Sequence, residues 1–545
     1  MSRTPLDDAT ASIRAGLRSD ASRRAFLTGA AAVLAGPAVA RSGTPAAGTV
    51  TILHTNDFHG RHSAFEVAPG NALAQTGQSS EFDFPRAGSI GGMPRLARAV
   101  RDRREALGSG NVLLVDGGDS FSDDLLGNLT RGEAMIRLMN AVGYDFMALG
   151  NHDFDYGLDR TRELANIAKF PIRGANVRDE ASGQPLLGDP ALVREIGGIS
   201  VGLLAVGYHN TPLTTNADNI RGLRFTNGIE EARRLVPDLR RRADLVVVVS
   251  HQGSAVDRKM LHEVDGIDLV IAAHSHDLIS PPERIGNGWL VQALSDGTML
   301  GEVTLSLQGG TVASVEGAVH TLWADEVEED TEVAALLEEL RAPHEEVLQE
   351  RIADAAERIG RSYEVESPFD KLIGRILREE TGAEIALLPG VGYGVALTSG
   401  PITAEALRRL LPHEARIATV TLTGEQLHAV LEQSASNLAP DDPIEKVGGL
   451  IQTDGLTWTA DLRRPIGERV SAVSVGGSSL EPGRRYAVVA NAGMLNGLHR
   501  YDVVGQGQKI QRLEQGVYDL VEAAFRRGGR VEAPALGDVT VVQRA

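Results

Sequence analysis

Cysteine is absent from the 545 residues. That excludes disulfides, thiolate metal sites, iron–sulfur clusters and cysteine nucleophiles. An oxidising compartment stays open, because a chain this long buries enough core without covalent staples. Basic residues are also in deficit: 54 Lys and Arg against 73 Asp and Glu leave a formal net charge of -19. So negative a molecule repels phosphate backbones, and no nucleic-acid partner is expected. If it handles a small anion, local positive charge must offset the global field, and a bound metal ion can supply it. Past the first forty residues no run approaches the roughly 18 uninterrupted apolar residues of a membrane span, so no stable membrane anchor is expected. What remains, 42% hydrophobic and 23% charged residues, is a globular composition.

Residues 1–40 read as an address. Ser22-Arg23-Arg24-Ala25-Phe26-Leu27 precedes a short run of small apolar residues and then Ala38-Val39-Ala40, an A-x-A cleavage site. This resembles a twin-arginine export signal, which implies a passing encounter with the Tat translocase and a periplasmic or secreted mature protein.

From residue 49 to about 325, β-branched runs such as Thr49–Leu53, Val112–Val115, Val201–Val206 and Leu245–Val249 alternate with helical patterns rich in arginine and leucine. That alternation predicts α/β layers. Residues 65–90, rich in Gly, Ser and Pro, read as a surface loop or lid. Residues 326–355 turn acidic and then carry leucines at helical spacing, which predicts a linker helix. A second α/β segment runs over 356–545.

Five of the N-terminal strands stop in a short loop bearing Asp, Asn or His. The loops are Asn56-Asp57-Phe58-His59-Gly60, Asp116-Gly117-Gly118-Asp119, Asn151-His152-Asp153-Phe154-Asp155, His251-Gln252-Gly253 and His274-Ser275-His276. In α/β sheets ligands gather beyond the carboxyl ends of the strands, so these loops can converge on one pocket. Imidazoles, carboxylates and an amide oxygen together suit Mn²⁺, Zn²⁺ or Fe better than Ca²⁺ or Mg²⁺. Two cations about 3.5–4 Å apart can hold a hydroxide between them and clamp an in-line displacement at phosphorus. Such ions repel, so a carboxylate must bridge them, and Asp119 is the natural bridge. A leaving alkoxide also needs a proton donor outside the metal shell. His152, beside Asn151 and three residues before Asp155, fits that need. Asp116 and Asp153 read as braces of their loops, and His54 as a packed residue within its strand.

These five blocks, in this order, resemble the bacterial 5'-nucleotidase branch of the calcineurin-like metallophosphoesterases. The resemblance implies a four-layer α/β/β/α sandwich followed by a smaller C-terminal α/β substrate domain that swings over the metals. It implies that Asp57, His59, Asp119 and His276 hold one divalent transition-metal ion, Mn²⁺ or Zn²⁺. Asp119, Asn151, His251 and His274 would hold the other. His152 and Asp155 would form the catalytic dyad. The expected activity is hydrolysis of a phosphomonoester, a nucleoside monophosphate or a relative of it such as a 2',3'-cyclic nucleotide.

The C-terminal half departs from the nucleotidase pattern. Leu388-Pro389-Gly390-Val391-Gly392-Tyr393-Gly394 lacks the arginine expected in a glycine-rich turn. The two ring positions expected to sandwich a base read Pro412-His413 and Ala492-Gly493-Met494. Tyr393 and Tyr501 are the candidate substitutes for those rings, and Arg358 and Arg361 the candidate phosphate contacts. Leu388-Pro389-Gly390-Val391, Asn437-Leu438-Ala439-Pro440-Asp441 and Gly448-Gly449-Leu450 resemble instead a sister branch, the sulfate thiol hydrolase of periplasmic thiosulfate oxidation. That activity is the alternative expectation. A non-enzymatic scaffold would have lost ligands, whereas all seven positions are filled here.

Overall fold

The computed structural model describes residues 47–77 and 82–543, so the predicted export signal lies outside the described residues. The first sheet is built from β1 (Gly48–Thr55), β2 (Val112–Asp116), β3 (Phe146–Ala148) and β4 (Ile172–Arg173), with helices α1 (Met93–Leu107), α2 (Glu133–Val142) and α3 (Leu158–Ile167) in the crossovers. Next come β5 (Ala191–Ile196), β6 (Ile199–Val206), α4 (Gly228–Arg242), β7 (Leu245–Ser250), α5 (Ser254–Glu263), β8 (Leu269–Ile271), β9 (Leu278–Ile285) and β10 (Gly288–Ala293). Two long strands, β11 (Met299–Gln308) and β12 (Thr311–Thr321), return to the first sheet. The two sheets run in the orders β12-β11-β1-β2-β3-β4 and β5-β6-β7-β8-β10-β9.

The sheets face each other across a shared core that includes Ile52, Val115 and Phe146 from one and Val201, Val247 and Ile271 from the other. α1 and α2 cover the outer face of the first sheet through Leu96, Met135 and Met139. α4 and α5 cover the second through Val236, Leu239 and Met260. The result is the four-layer α/β/β/α sandwich expected. Strands covered on both faces need continuous apolar runs rather than alternation. Leu245–Ser250 meets that need, with all six residues buried. Helix ends are written just as plainly: Asn227 caps α4, acids stand in its first turn, and Arg240, Arg241 and Arg242 in its last.

Register brings the five loops together. Thr55 pairs with Asp116 across β1 and β2, Asp116 with Met147 across β2 and β3, and Val249 with Ile271 across β7 and β8. The parallel strands therefore end level, and their loops open on the same edge of the sandwich.

The acidic stretch differs from the single helix predicted over 326–355. α6 (Thr331–Arg341) is followed by Pro343, which cannot extend a helix interior, and Arg351–Ala355 forms a strand paired with Gly400–Thr403. The C-terminal half then contains α7 (Pro368–Thr381), β13 (Ile385–Gly390), α8 (Ala404–Leu410), β14 (Arg416–Thr423), α9 (Gly424–Leu438), β15 (Gly449–Asp454), β16 (Arg485–Asn491), β17 (Gln508–Gly516) and α10 (Val517–Gly528). Its main sheet runs β15-β13-β16-β14-β17. α7 and α10 pack on one face and α9 on the other.

Residues 65–90 are not the free surface loop expected. Phe65, Val67, Phe84 and Ile90 are buried in a small core with Trp323. Backbone bonds from Gly394 to Thr76 (2.9 Å) and from Ala396 to Gln75 (2.8 Å) tie this segment to the C-terminal half. A second clasp joins the halves where Tyr208, His209 and Asn210 donate to the carbonyls of Ile444 and Lys446. No helix among the described residues is long and apolar enough to cross a membrane.

Candidate active site

Asp57, His59, Asp119, His274 and His276 all have positive φ, between 48° and 72°. Non-glycine residues rarely occupy that region, and such backbone persists only where its surroundings over-determine it. Here the loops clamp one another. Asp57 N–H donates to Gly118 O at 2.9 Å and His59 N–H to Asp119 O at 2.8 Å. Asp153 accepts the N–H groups of Gly150 (2.8 Å), Asp119 (3.1 Å) and Ser120 (3.1 Å). Asp116 accepts from Thr55 Oγ1 (2.7 Å), Ser120 Oγ (2.5 Å) and Gly118 N–H (2.9 Å). Both aspartates brace backbone, as their sequence context suggests. Gly118 stands at φ 101°, and a Cβ there would lie 2.6 Å from Gly150 N and 3.0 Å from His251 Nδ1. Only glycine lets these loops approach so closely.

Two groups of side chains result. In the first, ligand atoms of Asp57, His59 and His276 lie within 4.8 Å of one another, all buried. His59 Nδ1 is 2.7 Å from Asp123 Oδ2, so its proton sits there and Nε2 carries a lone pair. That Nε2 lies 3.0 Å from His276 Nε2, which is itself 3.3 Å from Asp57 Oδ1. Burial alone would raise the Asp57 carboxyl, but His276 and then His251 hold it down at about 2.

The second group gathers Asp119, His251 and His274 within the same limit. His251 Nδ1 donates to Gly117 O at 2.8 Å, so Nε2 is the nitrogen turned toward the carboxylates. Nε2 meets Asp119 Oδ2 at 3.0 Å without hydrogen-bond geometry and is buried with no hydrogen-bond partner. Asn151 Oδ1 is buried and equally unmatched. Burial opposes a charge on His251, yet Asp119 and then Asp57 push its pKa up to about 9. Carboxylates that draw a proton so strongly draw a cation for the same reason, and metal binding expels the proton. The two groups adjoin, since His251 Nε2 is also 3.9 Å from Asp57 Oδ1.

A buried amide oxygen without a donor and imidazoles crowded against buried carboxylates are costly in a low-dielectric interior. Divalent cations remove that cost, so the seven side chains fit a dimetal site. Their nitrogen and oxygen donors suit Mn²⁺, Zn²⁺ or Fe.

His152 stands beside this cluster. Its N–H donates to Asp119 Oδ1 at 2.7 Å, and its Nδ1 lies 2.8 Å from Asp155 Oδ2. Thr215 Oγ1 donates to Asp155 Oδ1 at 3.0 Å and holds the carboxylate from its other side. Burial disfavours the imidazolium, but Asp155, then Asp123 and Asp119, keep the His152 pKa well above its ordinary value. His59 and His276 of the first group, Asp119 and His274 of the second, Asn151 and His152 line one open cavity of about 1070 Å³ between the halves.

The C-terminal half sends two residues into this centre. Tyr393 packs its ring on His59 at 4.3 Å between centroids, and its hydroxyl is 3.3 Å from His152 Nε2. His413 stacks on His152 at 4.3 Å and 18°, with Nδ1 3.2 Å from Asp123 Oδ1 and 3.6 Å from Asp155 Oδ2. Asp123, which touches both His59 and His413, had no recognised role in the sequence. Its position just after the Asp119 loop was the available signal.

Two sequence expectations fail here. Arg361 cannot grip a phosphate, because it is buried against Asp370 (2.6 and 3.0 Å) and donates to the carbonyls of Tyr393 and Leu410. Tyr501 cannot stack a base, being fully buried within the core between the main C-terminal sheet and α9. A buried guanidinium that commits four of its five N–H donors to an acid and two carbonyls has no free fork to offer a substrate.

This fold and this cluster define a metallophosphoesterase. Residues 50–278 match the model of the calcineurin-like phosphoesterases, and residues 349–506 that of the 5'-nucleotidase C-terminal domain. The chain thus carries a calcineurin-like phosphoesterase domain followed by a 5'-nucleotidase C-terminal domain, and is a metal-dependent hydrolase of phosphoric ester bonds. Members of that class bind two divalent cations.

Human 5'-nucleotidase is 28% identical over 477 residues, covering 79% of each chain. The chain is 26% identical over 413 residues to the trifunctional nucleotide phosphoesterase protein YfkN of Bacillus subtilis, of whose length it covers 28%. Among solved structures, the sulfate thiohydrolase SoxB of Thermus thermophilus, in complex with glycerol, superposes with a TM-score of 0.82 at 26% identity, covering 92% of this chain and 98% of that one. A 5'-nucleotidase precursor from the same organism gives 0.80 at 26% identity, covering 91% of this chain and 100% of that one.

Proposed function

We propose that the protein is an exported phosphoesterase of the 5'-nucleotidase type, acting on nucleoside monophosphates or related phosphomonoesters, and on 2',3'-cyclic nucleotides as diester relatives. In this reading Asp57, His59, Asp119 and His276 hold one cation, Asp119, Asn151, His251 and His274 hold the other, and the metals are Mn²⁺ or Zn²⁺. The observation that carries it is the conjunction of two buried atoms that make no hydrogen bond, His251 Nε2 and Asn151 Oδ1, with an adjoining His152–Asp155 pair.

When bound, the two cations supply positive charge to the phosphoryl oxygens and an acidified water at neutral pH. The chain's own residues do the rest. Asp155 holds His152 Nδ1, so Nε2 faces the cavity and carries the transferable proton. A P–O bond forms to the water oxygen, and the bond to the leaving group breaks with its electron pair on the departing oxygen. That oxygen takes the His152 proton, and the water's proton leaves to solvent. From a monoester the products are an alcohol and inorganic phosphate; from a cyclic diester the same step opens the ring to a monophosphate.

A second reading, hydrolysis of a sulfur-bound sulfonate, is favoured by the likeness to SoxB over nearly the whole chain. Metal-loaded protein assayed on nucleoside monophosphates, 2',3'-cyclic nucleotides and a thiosulfonate tests both. Phosphate release supports the first, and sulfate release with no phosphate release supports the second.

The export part of the proposal rests on Arg23-Arg24 and the Ala38-Val39-Ala40 site. Replacing both arginines by lysine should leave the chain in the cytoplasm. Unaltered export would refute the twin-arginine route.

A further inference from the structure

Tyr393 is held from three sides. Gly392 (φ 66°) and Gly394 (φ 138°) shape the turn, Arg361 Nη1 donates to its carbonyl at 3.2 Å, and its ring lies on His59. Its hydroxyl then has one place to be, 3.3 Å from His152 Nε2 and 3.3 Å from Asp123 Oδ2, and hydrogen-bonded to His413 Nε2. His413 is fixed in turn by Asp123 at its other nitrogen and by the stack on His152. Two chains of contact therefore converge. Asp155 positions His152 from one side, and Asp123 positions His413 and Tyr393 from the other.

We propose that Tyr393 is a further catalytic residue, whose hydroxyl turns its one proton from Asp123 to the departing alcohol oxygen while His152 delivers the proton that leaves with it, and that His413 is the positioning residue that holds the hydroxyl oxygen in place. This rests on the phosphomonoesterase reading. The departing oxygen must come within hydrogen-bond reach of His152 Nε2, and Tyr393 Oη is the C-terminal donor that adjoins this point. A preset donor beside a developing negative charge acts on the transition state more than on the bound ester, and its absence is felt in turnover. The position predicted from the sequence to line a base stack is thus turned inward. His413 lies flat on the dyad histidine instead of facing the open cavity.

The donor matters most when the leaving oxygen is basic. An alkyl phosphate such as glycerol 1-phosphate or a nucleoside monophosphate needs it, whereas 4-nitrophenyl phosphate leaves as a weak base and needs it little. The test compares metal-loaded wild type, Tyr393→Phe, His413→Ala and His413→Gln on both ester types, with metal content measured on each preparation. The proposal expects Tyr393→Phe to lose about 10–100-fold in kcat on the alkyl ester, at least tenfold more than on the aryl ester, with two metals retained. His413→Ala should show the same asymmetry, and His413→Gln, which keeps a polar atom near Nε2, should restore part of it. Equal losses on both esters, or a loss confined to KM, would overturn the role given to Tyr393 and His413 while the phosphomonoesterase reading stands. If wild type releases phosphate from neither ester, that reading fails and the proposal falls with it.

Discussion

His59 and His276 bring their Nε2 atoms to 3.0 Å from each other, although His59 keeps its proton on the far nitrogen against Asp123. Beside Asp57, the two nitrogens are placed so that both can turn to a single cation. The pair thus summarises the site: three of the five loops deliver their side chains through left-handed residues, and the imidazoles and carboxylates converge on one point.

The dyad should be separable from the metal cluster. His152→Ala removes the proton donor but no proposed ligand, so turnover on an alkyl phosphate should fall by about 10²–10⁴ with bound metal unchanged. Steady-state kinetics paired with elemental analysis checks this. Turnover near that of wild type would remove His152 from the chemistry.

The loop geometry should be intolerant of a single methyl group. Gly118→Ala puts a Cβ against the backbone of Ala148 and Gly150 at a φ of 101°. We expect the folded protein to lose metal, because Asp119 and His251 lie on either side of the displaced segment. Normal metal content in the variant would show that the approach is looser than described.

Much of this was legible in the sequence. The α/β layers followed from β-branched runs such as Leu245–Val249, and the candidate loops from where those runs stop; the four-layer sandwich and the set of seven ligands came from the resemblance of those loops to a known family. Parallel strands with matched register bring their ends together whatever the intervening helices do. What escaped was long-range. Nothing local marks Asp123 as the partner of both His59 and His413. Arg361 read as a phosphate contact until Asp370 and two carbonyls were seen to occupy it. Residues 65–90 read as a loop because their composition is that of turns, and their small core exists only with Trp323.

A buried ionic joint ties the halves beneath the site. His62 Nδ1 is 2.5 Å from Asp124 Oδ2, and Arg341 reaches Glu405 at 2.6 Å. Burial opposes the charge on His62, but Asp124 and then Glu405 push its pKa up to about 9. Arg341 Nη1, 2.9 Å from His62 Nε2, favours the neutral ring, but the two carboxylates outweigh it. A histidine raised in the folded state contributes stability that is full below its unfolded pKa of roughly 6.5 and is lost as pH rises through about 9. Glu405 is depressed, so its contribution is present above roughly 4.5 and fades only in stronger acid. Removing one partner of a buried pair costs roughly 3–5 kcal/mol. His62→Gln should therefore lower the unfolding temperature at pH 6 by several degrees, and the gap to wild type should close by pH 10. A gap of the same size at both pH values would deny the charge on His62.

Arg361 should matter for shape before chemistry. Arg361→Met leaves Asp370 buried without its partner and frees the Tyr393 carbonyl. We expect roughly 3–5 kcal/mol of lost stability in denaturant titrations. A variant as stable as wild type would mean that Tyr393 is held by other means.

The measurement that tests the account most directly is the metal stoichiometry of the purified, folded protein beside its Asp119→Ala variant. Two divalent transition-metal ions per chain are predicted in wild type, with both sites weakened in the variant because Asp119 serves both. Chelation of wild type should lower its unfolding temperature, and Mn²⁺ or Zn²⁺ should restore it. A folded wild type that takes up no transition metal, or a variant that keeps both ions, would contradict the account.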